Sequence, residues 1–289
     1  MKLEYFDVHS HLYFPDFDKD REKEIEKIKK AGIGTIVIGT DFKSSKECVK
    51  LAKDHDNIFA CVGQHPGDLK EDSVFDEHLR KLAQDKKVVA IGECGLDYFR
   101  LEPERSEGIN SSEAPASAEL KMIQKTVFEY HVDLALELNK PLMLHIRDKK
   151  DSQEAYLDAL QILEHHFKIS GGELKGNVHF FAGDKDVLQR FVNMGFSVSF
   201  TGVITFTSDY DELVQLTPLD LLLAETDSPF VAPAPHRGKR NSPLFVPLVV
   251  EKIAMLKGES METIKKALFD NTLKHFPVIK ETLAESGLL

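Results

Sequence analysis

A (β/α)8 barrel, the TIM barrel of parallel strands and outer helices, is the α/β fold that this sequence predicts. Three observations lead there. Short apolar runs recur about eight times along the chain. Amphipathic stretches with helical spacing separate most of them. Residues suited to chemistry sit at the ends of the apolar runs, where a barrel of this kind gathers its active site. An open, doubly wound sheet is the alternative, but no glycine-rich phosphate loop follows an early strand to favour it. The 289 residues show no internal repeat and no linker, so residues 1–289 read as one domain.

The elements follow in order. A first strand is expected over Tyr5–His9, then a helix in DKDREKEIEKIKKAG with Ile25 and Ile28 on one face. A strand at Thr35–Ile38 leads to SSKECVKLAKD, which opens with serines able to cap a helix. A strand at Phe59–Val62 precedes SVFDEHLRKLAQD, where Phe75, Leu79 and Leu82 share a face. The fourth strand is expected at Val88–Gly92. The longest helix, ELKMIQKTVFEYHVDLALELN, carries Ile123, Val127, Tyr130, Leu134 and Leu138 at steps of three and four. Strands at Pro141–His145 and Asn177–Phe181 follow. DKDVLQRFVNMG is helical and ends on Gly195. The last strands are expected at Phe196–Ser199 and Leu221–Glu225. The segment 101–119 is polar, rich in Ser, Pro and Gly, and too long for an ordinary turn. It is expected to be a flexible insertion, a mobile flap.

Composition narrows the function. The cysteines Cys48, Cys61 and Cys94 are far apart, which suits a reducing compartment and argues against a disulfide framework. MKLEYFDVHSH lacks an apolar signal core, and no apolar run is long enough to span a membrane. A cytoplasmic protein with no membrane partner is the expectation. A formal net charge of −11 argues against broad coating of nucleic acid, though not against nucleic acid held at one local site.

FDVHSHLYF puts Asp7, His9 and His11 at alternate positions, on one face of a strand. A polar edge strand would explain that pattern, and so would a metal site. Further candidates decide between them. Glu93 follows the fourth strand, His145 ends the fifth, His179 lies in the sixth, and Asp227 follows the eighth. Single buried histidines are usually core residues, but here four histidines and two carboxylates at strand ends converge on one face of a barrel. Imidazole with carboxylate suits Zn²⁺, Mn²⁺ or Mg²⁺. Six ligands exceed one tetrahedral site, and a carboxylate can bridge two cations, so two divalent ions and hydrolysis are expected.

The chain carries GQHPGD, IGECGLDYF, PLMLHIRD, NVHFFAG, ETDSPF and RGKRNSP after DVHSH. On these motifs it resembles the TatD family of metal-dependent deoxyribonucleases, among the amidohydrolase-like barrels. The resemblance implies that His9 and His11 bind one metal with help from Asp227. It implies that Glu93 bridges and that His145 and His179 bind the second. It places His65, of QHP, in the pocket; a turn-capping role is the other reading of that histidine. It also implies cleavage of DNA from a 3′ end. Two departures bear on substrate preference: Ala182 stands where the family more often has Ser, and Lys121 where it often has Arg.

Arg147, Lys149 and Lys150 follow His145, and Arg237, Lys239 and Arg240 follow APH. Both groups are expected on loops at the catalytic face, with Arg147 and Arg237 as phosphate contacts. Tyr98 and Phe99 are candidates for stacking on a base. Cys94 is expected to point away from the metals. The resulting expectation is a two-metal phosphodiesterase acting on DNA, with single-stranded ends as substrate and Asp227 also taking the proton of the attacking water. A hydrolase of amides, lactones or aminoacyl esters, and a metal-stabilised scaffold without activity, are the alternatives.

Overall fold

The computed structural model describes residues 2–70, 73, 75–101 and 117–289. Eight parallel strands lie in sequence order, each beside the next. They are β1 (Tyr5–Ser10), β2 (Ile33–Ile38), β3 (Ile58–Val62), β4 (Val88–Asp97), β5 (Leu142–Arg147), β6 (Gly176–Val178), β7 (Ser197–Phe200) and β8 (Leu222–Ala224). The helices are α1 (Arg21–Lys30), α2 (Phe42–Asp54), α3 (Glu77–Ala83), α4 (Ser117–Leu138), α5 (Glu154–Ile169), α6 (Lys185–Asn193), α7 (Asp211–Leu216), α8 (Val246–Lys257), α9 (Met261–His275) and α10 (Pro277–Ser286).

The sheet closes where β1 meets the chain leaving β8. Ser10 bridges Ser228, the Asp227 amide donates to the His9 carbonyl at 2.9 Å, and the His11 amide donates to the Ser228 carbonyl at 2.7 Å. Three candidate ligands are therefore set side by side by the same backbone bonds that close the barrel.

Two apolar clusters hold the fold. One lies between strands and helices and includes Ile25, Ile28, Val49, Leu79, Phe128, Leu160, Phe191 and Val250. The other joins Phe6, Val8, Ile36, Ile38, Phe59, Met143 and Leu223 to Phe276, Ile279 and Leu283 around α10. Side chains from β1, β2, β3, β5 and β8 can meet in one cluster only inside a barrel. The Leu3 amide, ahead of β1, donates to the Leu288 carbonyl, so α10 closes the end opposite the ligands. The helix starts use the expected chemistry. Asp41 accepts from the Ser44 amide at 2.7 Å while Ser44 Oγ takes the Asp41 amide at 2.9 Å, a reciprocal cap for α2.

Several expected boundaries move. β4 runs on to Asp97, so Glu93 lies within the strand rather than after it. Its glycines make that possible: a Cβ at Gly92 or Gly95 would collide with the carbonyls of Met143 or His145 on β5. β6 is short, so His179 lies just past its end. Helix α4 already includes Ser117–Glu119, so the polar segment is not loop to its end. The remainder of the expected flap, 102–116, lies outside the described residues. Among the described residues, no helix is long and apolar enough to cross a membrane.

Candidate metal centre

β1 delivers its ligands through an irregularity. Strict alternation would place Asp7 with His9 and His11, but the register with β2 shifts between Asp7 and Ser10. Asp7 instead reaches the neighbouring chain, accepting from Thr226 Oγ1 at 2.6 Å and from the Thr226 amide at 2.9 Å. It braces the segment that carries Asp227 and stays outside the donor group. Asp227 itself holds a left-handed backbone, φ 53°, and Phe180, next to His179, does so at φ 44°. Such conformations cost energy and gather at functional sites. Here the Phe180 amide is held by Glu225 Oε1 at 2.7 Å.

The six candidate ligands come together. His9 Nε2 and His11 Nε2 are 3.3 Å apart. Glu93 Oε2 lies 3.6 Å from the first and 3.9 Å from the second, and Asp227 Oδ1 lies 3.8 and 3.3 Å from them. Four donors held about 2.0–2.2 Å from one cation stand roughly 3.3–3.6 Å apart at tetrahedral angles. Three of the five observed edges fall in that range, and two, at 3.8 and 3.9 Å, are slightly longer. The other oxygen of Glu93 faces a different group: Oε1 is 2.9 Å from His145 Nδ1 and 2.9 Å from His179 Nε2, which are 3.3 Å from each other.

The outward nitrogens fix which imidazole atoms carry lone pairs. His11 Nδ1 lies 3.1 Å from the Ile38 carbonyl, so it is the donor and Nε2 is left free for the centre. His145 Nε2 lies 3.0 Å from Asp97 Oδ2, leaving Nδ1 inward. His179 Nδ1 lies 3.5 Å from Glu225 Oε1, an ion-pair distance without a hydrogen bond, with Nε2 turned inward. Carboxylates and carbonyls in this outer position are how proteins orient metal-binding histidines. Inward lone pairs so close to one another would repel without a cation between them. The donor set therefore fits a divalent metal.

The same side chains are tightly coupled as charges. Burial pushes the Glu93 carboxyl up, but the His179, His65 and His9 rings around it win and hold it well below the carboxylate range. Burial disfavours charge on His179, yet Glu93 and Glu225 raise it well above an ordinary imidazole.

Asp97 and Glu225 were not among the expected site residues. Both are fully buried. Glu225 also accepts from Ser199 Oγ at 2.6 Å, within a polar ladder that runs through Asn177 and Ser197. The only sequence signal for them is proximity to Glu93 and Asp227. His65 fits both of its readings. Its Nδ1 accepts from the Gly67 amide at 3.0 Å, capping a short 3-10 turn, while Nε2 faces Glu93 Oε1 at 3.8 Å. Burial and the neighbouring His145 push its pKa down to about 3, so it is a neutral ring with an N–H directed into the site.

The expected rim divides. Arg147 and Arg237 are exposed at the mouth, each guanidinium over a phenylalanine ring: Phe99 at 3.9 Å and Phe206 at 3.4 Å. Arg240 does not join them. It forms a two-pronged ion pair with Asp20 at 2.7 and 2.8 Å and lies over Phe17, tying the β8 loop to the start of α1. Tyr98 is corrected as a stacking surface. Its ring is fully buried beneath Lys121, and its hydroxyl donates to Asp158 at 2.7 Å. Phe99, half exposed, is the neighbour that presents a ring to solvent. Cys94 is buried, its Sγ near the Ile91 and Met143 carbonyls.

The sequence profile of TatD-related DNases matches residues 6–277. The chain belongs to the TatD-related DNase family. It is a metal-dependent hydrolase. An uncharacterized metal-dependent hydrolase, YabD of Bacillus subtilis, is 35% identical over 278 residues, covering 94% of this chain and 99% of YabD. The 3′-5′ ssDNA/RNA exonuclease TatD of Pantoea ananatis is 32% identical, covering 95% of this chain and 100% of its own. Among solved structures, the TatD homolog YjjV of Escherichia coli K12 superposes with a TM-score of 0.78 at 26% identity, covering 96% of this chain and 99% of that one. In this family member, then, the donor groups sit at the carboxyl ends of the strands, as the fold requires.

Proposed function

We propose that this chain is a two-metal phosphodiesterase, one working domain, that shortens single-stranded DNA or RNA from its 3′ end. The observation that carries the reading is Glu93, whose two oxygens face two separate groups of donors. His9, His11 and Asp227 with Oε2 would hold one divalent ion, and His145 and His179 with Oε1 the other; Mg²⁺, Mn²⁺ and Zn²⁺ all suit these donors. Bound there, such ions neutralise charge on a phosphate and acidify water.

The chain's own residues do the rest. Asp227, on the face open to the mouth, takes the proton of the attacking water. His65 remains neutral at working pH, so its Nε2–H donates a hydrogen bond to a phosphate oxygen rather than a proton. Arg147 and Arg237 neutralise phosphates of the strand, a local positive rim on an acidic molecule. The similarity to a protein named as a 3′-5′ ssDNA/RNA exonuclease supports the substrate and the polarity.

The test is digestion of end-labelled single- and double-stranded oligonucleotides by purified protein, with EDTA and then metal added back. Products shortened from the 3′ end, lost in EDTA and restored by metal, are expected. Cleavage of esters, amides or lactones with none of oligonucleotides would overturn the reading. So would protein that holds metal and cleaves nothing.

A further inference from the structure

We infer that Phe99–Arg147 and Phe206–Arg237 are two nucleobase-stacking platforms on different sides of the mouth, each taking one unpaired base of the strand whose phosphate lies at Glu93. The inference rests on the nuclease reading and states how that substrate is gripped.

Two arginines differ from the rest in how they are partnered. The chain has 48 acidic and 37 basic residues, so an arginine seldom lacks an acidic neighbour. Arg21, Arg80, Arg100, Arg190 and Arg240 all pair with carboxylates. Among the described arginines, only Arg147 and Arg237 have no carboxylate partner, and both lie at the mouth. What each has instead is a phenylalanine face, and those rings are themselves left in water: Phe99 is 49% exposed and Phe206 is 38% exposed.

A guanidinium seated over a ring at 3.4 or 3.9 Å, with no carboxylate partner, has its other face and its N–H groups to offer a ligand. Much of its rotamer freedom is already gone, which lowers the entropy cost of binding. A nucleotide offers the complement: a flat base for the open face and a phosphate for the N–H edge. Position favours the same ligand. Arg147 lies two residues beyond His145 on β5, so the two side chains leave the same side of the strand. Phe206 and Arg237 come from the loops after β7 and β8, and the β8 loop also carries Asp227. Phe99 and Arg147 at the ends of β4 and β5, and Phe206 and Arg237 in the loops after β7 and β8, all belong to the carboxyl end of the barrel, where the donors lie. A paired base has both faces covered by its neighbours in the duplex and cannot enter such a stack, so the platforms select unpaired ends.

Binding of fluorescent strands by the metal-loaded protein tests this, with phosphorothioate linkages to resist hydrolysis. One strand is oligo-dT; the other has the same backbone without bases. Phe206→Ala and Phe99→Ala should each weaken oligo-dT by about five- to a hundred-fold, the range of one lost stack. Binding of the baseless strand should stay within about two-fold. Arg237→Lys, which keeps the charge and loses the plane, should behave like Phe206→Ala. Thermal melting confirms that these exposed positions leave the fold intact. Equal weakening of both strands would overturn the platforms, because the rings would then serve only to anchor phosphate-binding arginines. Unchanged oligo-dT binding would also overturn them. Wild type that binds both strands equally, yet degrades DNA, would sink the platforms and leave the phosphodiesterase standing. Wild type that neither binds nor cleaves would sink both.

Discussion

At Glu93 one carboxylate serves two sets of partners, so its loss should be felt twice. Glu93→Ala is expected to lower bound metal more than any other single ligand change, with the barrel still folded by circular dichroism. Elemental analysis finding two metals per chain in that variant would refute the shared role. Asp97 acts one shell further out, through His145 Nε2. Asp97→Asn keeps the volume and weakens the hold on the ring. Outer partners of this kind are typically worth about ten- to a hundred-fold in metal affinity, and competition with a chelator dye would measure it. An unchanged affinity would mean that packing alone orients His145.

Helix α4 anchors Asp97 at the end of β4 and the loop that bears His65. Gln124 is buried; its Oε1 accepts the Asp97 amide at 2.9 Å, and its Nε2 donates to the carbonyls of Pro66 and Asp97 at 3.1 and 3.2 Å. Seven residues on, two turns along the same face, His131 Nε2 accepts the Gln64 amide at 3.0 Å while Nδ1 donates to the Val127 carbonyl at 2.7 Å. The helix thus grips the chain on both sides of His65. Gln124→Leu strands three backbone groups, and each such group costs about 1–3 kcal/mol when buried. A melting point within a degree of wild type would contradict that.

His131 gives a pH signature. Burial lowers its pKa from 6.5 to about 4, so the folded state resists a proton that the unfolded chain accepts. Nothing changes above pH 6.5; between 6.5 and about 4 the unfolded state binds more protons and stability falls as the solution is acidified. His131→Gln, which still offers the Gln64 amide an acceptor, should melt with a shallower dependence across that window than wild type. Equal slopes would remove His131 from the acid response.

Across the whole molecule, a ligand that binds only the folded chain raises its apparent stability. EDTA should therefore lower the melting temperature, and an excess of Mn²⁺ or Zn²⁺ should restore it; indifference to chelation would argue against a metal in the native state. The barrel was legible in the sequence because its signals are local: apolar runs, helical spacing, and donors where the runs end. Glu93, His145 and His179 could be picked out beside apolar runs without knowing the pairing, although β4 runs four residues past Glu93. Asp97, Glu225 and Gln124 could not, because their partners come from strands or loops remote in sequence. Tyr98 was misread for the same reason. Nothing in GLDYFR tells which of two adjacent rings lies under Lys121 and which faces water.

The seam between β1 and the loop after β8 also has a kinetic meaning. Asp7 and Thr226 touch across 219 residues, and His9 and Asp227 are joined beside them. Such contacts join residues far apart in the sequence, and loop-closure entropy makes them late to form. A chain still emerging from the ribosome can assemble β1 through β7 and yet hold no complete centre, since one wall of it arrives last. The geometry ties catalytic competence to the final closing step. A copy that ends before Asp227 therefore lacks a wall of the centre, however much of the barrel it has built.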